Sequence, residues 1–160
     1  MTENHLTQEL RALLAETLKD FSYLAQDGTT EGPPKVINGF LPPKKKPDNR
    51  DWPFVVVRPV EGSVGEEATT VSVQIIVGCW SEEFEGYEYS LNIMSRIRNA
   101  LTTLPAQMLN RRFRLAFPVK WEFVNEQPYP SWVAVMTTDW IMRTPDVRTE
   151  NEDKVYGYFK

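Results

Sequence analysis

The feature that most constrains the fold is a stretch of strict alternation between residues 69 and 80. Every second position is apolar, through Val71, Val73, Ile75, Val77 and Cys79. A period of two predicts a β-strand with one face on a hydrophobic core. The valine-rich segment 54–60 precedes it across a turn that contains glycine, serine and glutamate. These two segments therefore predict a hairpin, in which Pro59 ends the first strand or lies at a sheet edge.

Two later segments also predict strands. In residues 113–124 the apolar Val119, Trp121 and Phe123 alternate with charged residues, and Pro118 interrupts the run. In residues 132–142 we expect a core face made of Ala134, Met136, Thr138, Trp140 and Met142. The other face of this last strand is bulky as well, so a helix or a neighbouring subunit is expected to cover it.

Helical spacing predicts two helices, over residues 5–26 and 82–104. The first has an apolar stripe of Leu6, Leu10, Leu13, Leu14, Phe21 and Leu24, and Gly28 follows it. The second has an apolar face of Tyr87, Leu91, Met94, Ile97 and Leu101. Ser81 is the expected N-cap, and Gly86 favours a regular helix that begins after it.

This order of elements predicts an α+β fold: a mainly antiparallel sheet of about four strands, with two helices packed on one face. A single domain is expected over residues 1–142. Within it, residues 28–53 contain six prolines and three glycines, which predicts a loop or extended arm with a short strand at 36–41. Residues 143–160 are expected to form an extended C-terminal tail.

The residue inventory disfavours catalysis, metal binding and cofactors. The chain has one histidine and one cysteine, which excludes an internal disulfide and most metal sites. His5 lies near the N-terminus, and Cys79 is expected to be buried in a strand. The pairs Glu66–Glu67 and Glu82–Glu83 have structural roles in a turn and at a helix start. The segment 62–65 lacks the lysine of a phosphate loop. We therefore expect a protein that is not an enzyme.

The overall charge and hydropathy reduce the classes of binding partner that are expected. With 18 basic and 22 acidic residues the net charge is −4, which disfavours bulk nucleic-acid binding. Apolar runs fall far short of the ~20 residues that a membrane helix needs, so no membrane partner is expected. The first ten residues also lack the apolar run of a signal peptide.

Charges are distributed unevenly along the chain. Residues 61–88 contain seven acids and no base, whereas residues 89–121 contain six bases and no acid. Chance and helix-dipole complementation can account for this. The alternative is a molecule with opposed charged flanks that docks head-to-tail on copies of itself and closes into a ring, aided by exposed sheet edges. In that hypothesis the subunit contact joins Glu82, Glu83 and Glu85 to Arg111, Arg112 and Arg114. Lys44, Lys45 and Lys46 lie on an arm that contacts a partner.

Several segments resemble one family. They are Gln74–Trp80 with the acidic helix start and helix that follow, Pro118–Phe123, Gln127–Trp132 and Thr137–Trp140. Together, over residues 54–142, they resemble tail terminator (tail completion) proteins of tailed bacteriophages. The resemblance implies a hexameric ring that caps the tail tube, stops its polymerisation and joins the head connector. The partners it implies are further copies, the tail tube protein and a connector or neck protein, with DNA only passing through the lumen. It also implies a place in the virion tail or neck after synthesis in the host cytoplasm, and no catalytic residues.

Two alternatives remain open at the level of sequence. A neck or head-completion protein, or a sheath-end ring, differs from a tail terminator only in its partner. An enzyme or small-molecule-binding domain would instead need a concave pocket lined by perturbed titratable groups.

Overall fold

The computed structural model describes residues 2–24, 31–40, 53–126 and 129–144. Lys44, Lys45 and Lys46 of the predicted arm lie outside these residues, as does residue 145 onward of the predicted tail. The described residues form two α-helices, α1 (Glu3–Leu18) and α2 (Tyr87–Thr102). The strands are β1 (Tyr23–Leu24), β2 (Glu31–Gly32), β3 (Lys35–Asn38), β4 (Phe54–Val64), β5 (Ala68–Trp80), β6 (Met108–Leu109), β7 (Phe113–Phe123) and β8 (Ser131–Arg143).

A six-stranded sheet with the order β3-β4-β5-β8-β7-β6 forms the body of the molecule, and β1 and β2 form a separate antiparallel pair. All neighbours in the large sheet are antiparallel except β3 and β4. The mixed α+β class is confirmed, but the expected number of about four strands is too low. The four long strands are those predicted, and β3 overlaps the short strand expected at 36–41 and joins the sheet at one side. The strand β6 at the other side was not expected, because two residues are too short to produce a detectable alternation.

The predicted hairpin is confirmed and extends further than expected. β4 and β5 pair from Phe54 with Gly78 to Val64 with Thr69, and a register shift lies between Pro59 and Glu61. β3 pairs only with the first four residues of β4, so Pro59 lies on an edge. In the same way, Pro118 does not break β7 but lies in a register shift between Ala116 and Lys120.

The core lies between one face of the sheet and the two helices. The predicted inward faces of β5 and β8 are both buried, including Cys79 and Trp140. From α1, four leucines are completely inaccessible to solvent: Leu6, Leu10, Leu14 and Leu18. In the described part of the chain both helices pack on this face. The outward side chains of β8, such as Val135 and Ile141, are half-buried, and neither helix of the described residues covers them, so that cover by a neighbouring subunit stays a prediction.

Both helices differ from their predicted bounds. α1 ends at Leu18, and the backbone N–H of Phe21 donates to the Leu18 carbonyl over 3.1 Å. The Phe21 ring still packs against the core and lies 4.9 Å from the guanidinium of Arg96 on α2. Phe21 contributes to the same core from a turn. The apolar spacing in the sequence therefore extends beyond Leu18, where the helix ends.

The buried face of α2 is rotated relative to the predicted one. Ser90 and Ile93 are completely buried, whereas Tyr87 is 42% exposed and Leu91 is half-buried. The reason is a non-local hydrogen bond, because the Ser90 hydroxyl donates to the Trp132 carbonyl on β8 over 2.8 Å. A short turn of 3-10 helix, Phe84–Gly86, precedes α2, which confirms that the regular helix begins after Gly86.

Candidate functional site

The β5–β8 pair defines two ends of the molecule. At one end Trp80 pairs with Ser131, and at the other Ala68 pairs with Arg143. A strand of this length, at a rise of roughly 3.3 Å per residue, separates the two ends by about 40 Å. Glu82, Glu83 and Glu85 follow directly after Trp80, whereas Arg114 pairs with Ile141 near the other end. The glutamates and arginines of the predicted contact are thus not neighbours within one chain but lie at opposite ends of it.

The acidic end is built on the short 3-10 turn before α2. Glu82, Glu83, Glu85 and Glu88 are all exposed there. The Ser81 hydroxyl accepts from the Glu83 backbone N–H over 3.2 Å, and the Gly86 N–H donates to the Glu83 carbonyl. The negative charge of Glu83 first, with smaller effects of Glu88 and Glu85, raises the pKa of the Tyr89 hydroxyl. This surface therefore has a concentrated negative potential.

A row of five aromatic rings adjoins the acidic end. Its members, here called the aromatic row, are in order Trp121, Phe123, Tyr87, Trp132 and Tyr129. Each ring centroid lies 6.1–6.4 Å from the next, and each contact is edge-on. Trp121, Tyr87 and Tyr129 are 44%, 42% and 57% exposed. No local sequence pattern predicts this row, because its members come from three segments that only the fold brings together.

Hydrogen bonds hold the end of the aromatic row in place. The Trp132 indole Nε1–H donates to the Ser81 carbonyl over 2.9 Å, while the Trp132 carbonyl accepts from Ser90. The Tyr129 hydroxyl donates to the Glu82 carbonyl over 2.7 Å. These hydrogen bonds to the backbone carbonyls of Ser81 and Glu82 therefore join the aromatic row to the acidic turn.

The opposite end contains a groove lined by four arginines. Arg111, Arg112, Arg114 and Arg143 line an open groove of about 410 Å³, here called the arginine groove. Met108, Ile141 and Met142 contribute apolar surface to it, and Glu67 contributes one carboxylate. Arg143 was not expected among these residues. It reaches the groove only through the pairing of β8 with β5 and β7, which the sequence does not show.

A tight turn presents two of these arginines. Arg112 N–H donates to the Leu109 carbonyl over 3.1 Å, and Asn110 and Arg111 have φ values of 51° and 58°. The positive φ values at both central residues define a tight turn of a kind in which glycine is the common second residue, and residues 110–112 connect β6 to β7. The Asn110 side chain also donates to the Glu9 carboxylate on α1 over 2.9 Å, which anchors the turn.

The acidic run of the sequence is divided between the two ends. Glu61, Glu66 and Glu67 lie on the β4–β5 hairpin, at the end that holds the arginines, rather than with Glu82–Glu88. The charge separation along the sheet therefore rests on Glu82, Glu83, Glu85 and Glu88. The carboxylate of Glu67 offsets part of the positive charge in the arginine groove.

His5 and Cys79, the two residues whose side-chain chemistry could support catalysis, both have structural roles. His5 is part of a capping box, because its Nδ1 accepts from the Thr2 backbone N–H and its own N–H donates to the Thr2 hydroxyl. Burial raises the pKa of the Cys79 thiol to about 11, against a smaller opposite effect of its hydrogen bond with Ser90. Among the described residues, no three His, Cys, Asp or Glu side chains are grouped so that they could hold a metal ion. None of the helices there has the length and hydropathy for a membrane span.

Comparison with known proteins finds no match in sequence and a weak similarity in structure. No protein family model matches the chain, and no curated protein sequence matches it. Among solved structures, one similar chain belongs to the virion of a native gene transfer agent particle. It shares 16% sequence identity with a TM-score of 0.42, over 84% of this chain and 95% of that chain. A similarity of this strength does not define a shared fold.

Proposed function

We propose that this chain is a non-enzymatic structural protein of a virion, a tail terminator. Copies assemble head-to-tail into a hexameric ring that caps the tail tube, ends its polymerisation and joins the tail to the head connector. The sequence resemblance over residues 54–142 supports the class of protein. The single observation that carries the assembly mechanism is that the exposed glutamates and the arginine groove occupy opposite ends of one β5–β8 pair.

Complementary ends on a rigid sheet favour a heterologous contact. When one copy's Glu82, Glu83 and Glu85 meet the next copy's Arg111, Arg112 and Arg114, the resulting pair keeps one free end of each sign. Such a contact repeats until the rotation between copies closes a ring. Electrostatic complementarity also steers the encounter and disfavours contact between like ends.

The sheet edges are less suited to this contact than the strand ends. The exposed part of β4 contains Pro59 and a register shift, and β7 contains Pro118, a second register shift and Lys120. Prolines, irregular register and charged residues are the features by which natural sheets avoid edge-to-edge pairing. We therefore assign the subunit contact to side chains at the strand ends, and the segment Lys44–Lys46 to contact with a partner protein.

Charge reversal tests the contact between copies. The molar mass of the purified protein is measured by size-exclusion chromatography with light scattering, at low and at high ionic strength. We expect a ring at low salt. Arg111→Glu with Arg114→Glu should give a monomer, and so should Glu82→Lys with Glu85→Lys. Mixing these two variants should restore association, because the mutated surfaces become complementary again.

A matched control changes the same number of charges elsewhere. Arg11→Glu with Arg98→Glu reverses two exposed arginines on the helices that do not line the arginine groove. This control should retain the ring. A wild-type protein that stays monomeric at low salt, or a ring that survives reversal at both ends, would contradict the proposed contact.

The capping function is tested with the tail tube protein of the same phage. Tubes assembled with the ring protein should be shorter and should carry one ring at one end in electron micrographs. A ring that leaves tube length unchanged and binds a head or sheath component instead would assign the chain to the related neck or sheath-end proteins.

A further inference from the structure

The aromatic row exposes more aromatic surface than packing within the chain requires. Trp121, Tyr87 and Tyr129 are each more than two-fifths exposed, and Phe84 beside them on the acidic turn is 87% exposed. Contiguous exposed aromatic surface in a folded domain marks an interaction site. The hydrogen bonds of Trp132 and Tyr129 hold the rings before any partner binds.

The surroundings of the aromatic row define the chemistry of its partner. Glu82, Glu83, Glu85 and Glu88 lie on the turn and first helical residues beside it, and all four are exposed. Aromatic faces bind cations through their quadrupole, and neighbouring carboxylates add charge and hydrogen-bond acceptors. A planar guanidinium satisfies both groups at once, because it stacks on a ring and donates to a carboxylate.

The chain itself presents guanidinium groups on a compact projection. Arg111 and Arg112 lie at the tip of the β6–β7 turn, and both are exposed. Arg111 has a φ of 58°, a conformation in which a residue other than glycine is strained. The turn thus places an arginine at the position where glycine would be the relaxed choice. That placement suits a side chain needed for contact.

We propose that the β6–β7 turn of a second copy docks on the aromatic row, with the guanidinium groups of Arg111 and Arg112 stacked on its rings and paired with the adjacent glutamates. This inference rests on the proposed head-to-tail assembly and names the surface that forms its centre. The aromatic row supplies the desolvated anchors that dominate interfaces, and the glutamates supply orientation. Charge attraction alone would not need the rings.

A one-contact complex isolates this interface from ring closure. Variant A carries Arg111→Ser and Arg112→Ser, which leave its turn uncharged and therefore not complementary to the mutated end of variant B, and it keeps its aromatic row. Variant B carries Glu82→Lys and Glu85→Lys and keeps its turn. The native contact then joins the row of variant A to the turn of variant B, and its Kd is measured by isothermal titration calorimetry.

Substitutions that preserve the charge distinguish stacking on the rings from simple electrostatic attraction. Tyr87→Leu in variant A, or Arg111→Lys with Arg112→Lys in variant B, should each weaken binding about tenfold. Tyr87→Phe, which keeps the ring, should restore the affinity. Phe40→Leu in variant A and Arg98→Lys in variant B are the matched controls, an exposed aromatic residue and an exposed arginine elsewhere, and both should leave the Kd unchanged.

A double-mutant cycle shows whether the two groups touch. If the rings and the arginines contact each other, combining Tyr87→Leu with Arg111→Lys and Arg112→Lys should cost less than the product of the separate losses. Equal affinity with and without the aromatic ring of Tyr87 would overturn the inference. It would leave intact a purely electrostatic contact between the copies of the assembled ring. Binding of variant A to variant B could depend on the aromatic row even though the wild-type protein never forms a closed ring. This pair of results would sustain the inference and overturn the proposed assembly. Absence of binding between A and B would overturn both.

Discussion

Gly86 and Trp132 approach so closely that no side chain fits between them. A Cβ built on Gly86 would lie 2.2 Å from the indole Nε1 of Trp132 and 2.8 Å from its Cδ1. The indole cannot retreat without losing its hydrogen bond to the Ser81 carbonyl. Gly86 therefore positions the central part of the aromatic row as well as the start of α2.

Gly86→Ala should consequently destabilise the protein by about 2 kcal/mol, as expected for overpacking at a site that cannot relax. The backbone of Gly86 is helical, with φ of −56°, so alanine is acceptable there apart from this steric conflict. The free energy of unfolding is measured by urea denaturation followed by circular dichroism.

Gly32→Ala is the matched control, because nothing lies within 4 Å of a Cβ at that position. Its stability should stay within about 0.5 kcal/mol of the wild type. Equal stability of both alanine variants would show that the turn before α2 moves aside easily, and that Trp132 is not held as described.

Thr138 links two strands and a tryptophan inside the core. Its buried hydroxyl donates to the Val73 carbonyl over 2.8 Å and accepts from the Trp140 indole N–H over 2.9 Å. Thr138→Val keeps the shape but leaves that N–H without its acceptor in a buried site, which should cost about 2 kcal/mol. Thermal or urea unfolding measures the loss.

The neighbouring Thr137 provides the comparison for this substitution. It is exposed on the other face of β8, so Thr137→Val should change the free energy of unfolding by less than about 0.5 kcal/mol. If the two valine variants were equally stable, the hydrogen bond between Trp140 and Thr138 would have no energetic weight.

The long strands were predictable because their patterns are long and their two faces differ. Both β5 and β8 have thirteen residues, and the buried positions are those that alternation predicts. On α2 the sequence correctly predicted that Met94, Ile97 and Leu101 are buried. The first part of the buried face was not predictable, since Ser90 is buried and donates a hydrogen bond to Trp132, 42 residues away. Apolar spacing contains no information about such a partner.

The candidate site shows the same division between local and non-local information. The sequence shows that Glu82–Glu88 and Arg111–Arg114 form runs of one sign, but not that the β5–β8 pair separates them. Only strand pairing brings Arg143 and Glu67 to the arginine groove. The aromatic row likewise requires the register in which Phe123 pairs with Ala134.

Cys79 should make stability depend on pH in the alkaline range. Burial raises the pKa of its thiol from 9.0 to about 11, so the unfolded chain releases this proton at lower pH than the folded one. Between pH 9 and 11 the folded state binds more protons, and stability falls as the pH rises. The thiol's contribution to this loss should reach about 2–3 kcal/mol near pH 11.

Cys79→Ala isolates that contribution, because tyrosines and lysines that titrate in the same range are common to both proteins. The variant loses stability at neutral pH through the missing sulfur, and the difference between it and the wild type should shrink or reverse above pH 9. Parallel stability curves across this range would mean that the folded thiol ionises normally.

Arg111→Gly should raise stability and lower self-association at once. Glycine adopts a φ of 58° without the steric cost that arginine carries, so the free energy of unfolding should rise by about 1 kcal/mol. Removal of the guanidinium from the tip of the β6–β7 turn should weaken the contact between copies.

Arg112→Gly separates these two effects, because Arg112 also lies on the turn but is not among the residues with positive φ. It should weaken association without a gain in stability, since glycine there only adds freedom to the unfolded chain. Urea denaturation and sedimentation equilibrium measure the two quantities on the same samples. If Arg111→Gly were no more stable than the wild type, the turn would not be strained. If it associated as tightly as the wild type, the side chain of Arg111 would not lie at the interface, and the strain of its backbone would have no functional counterpart.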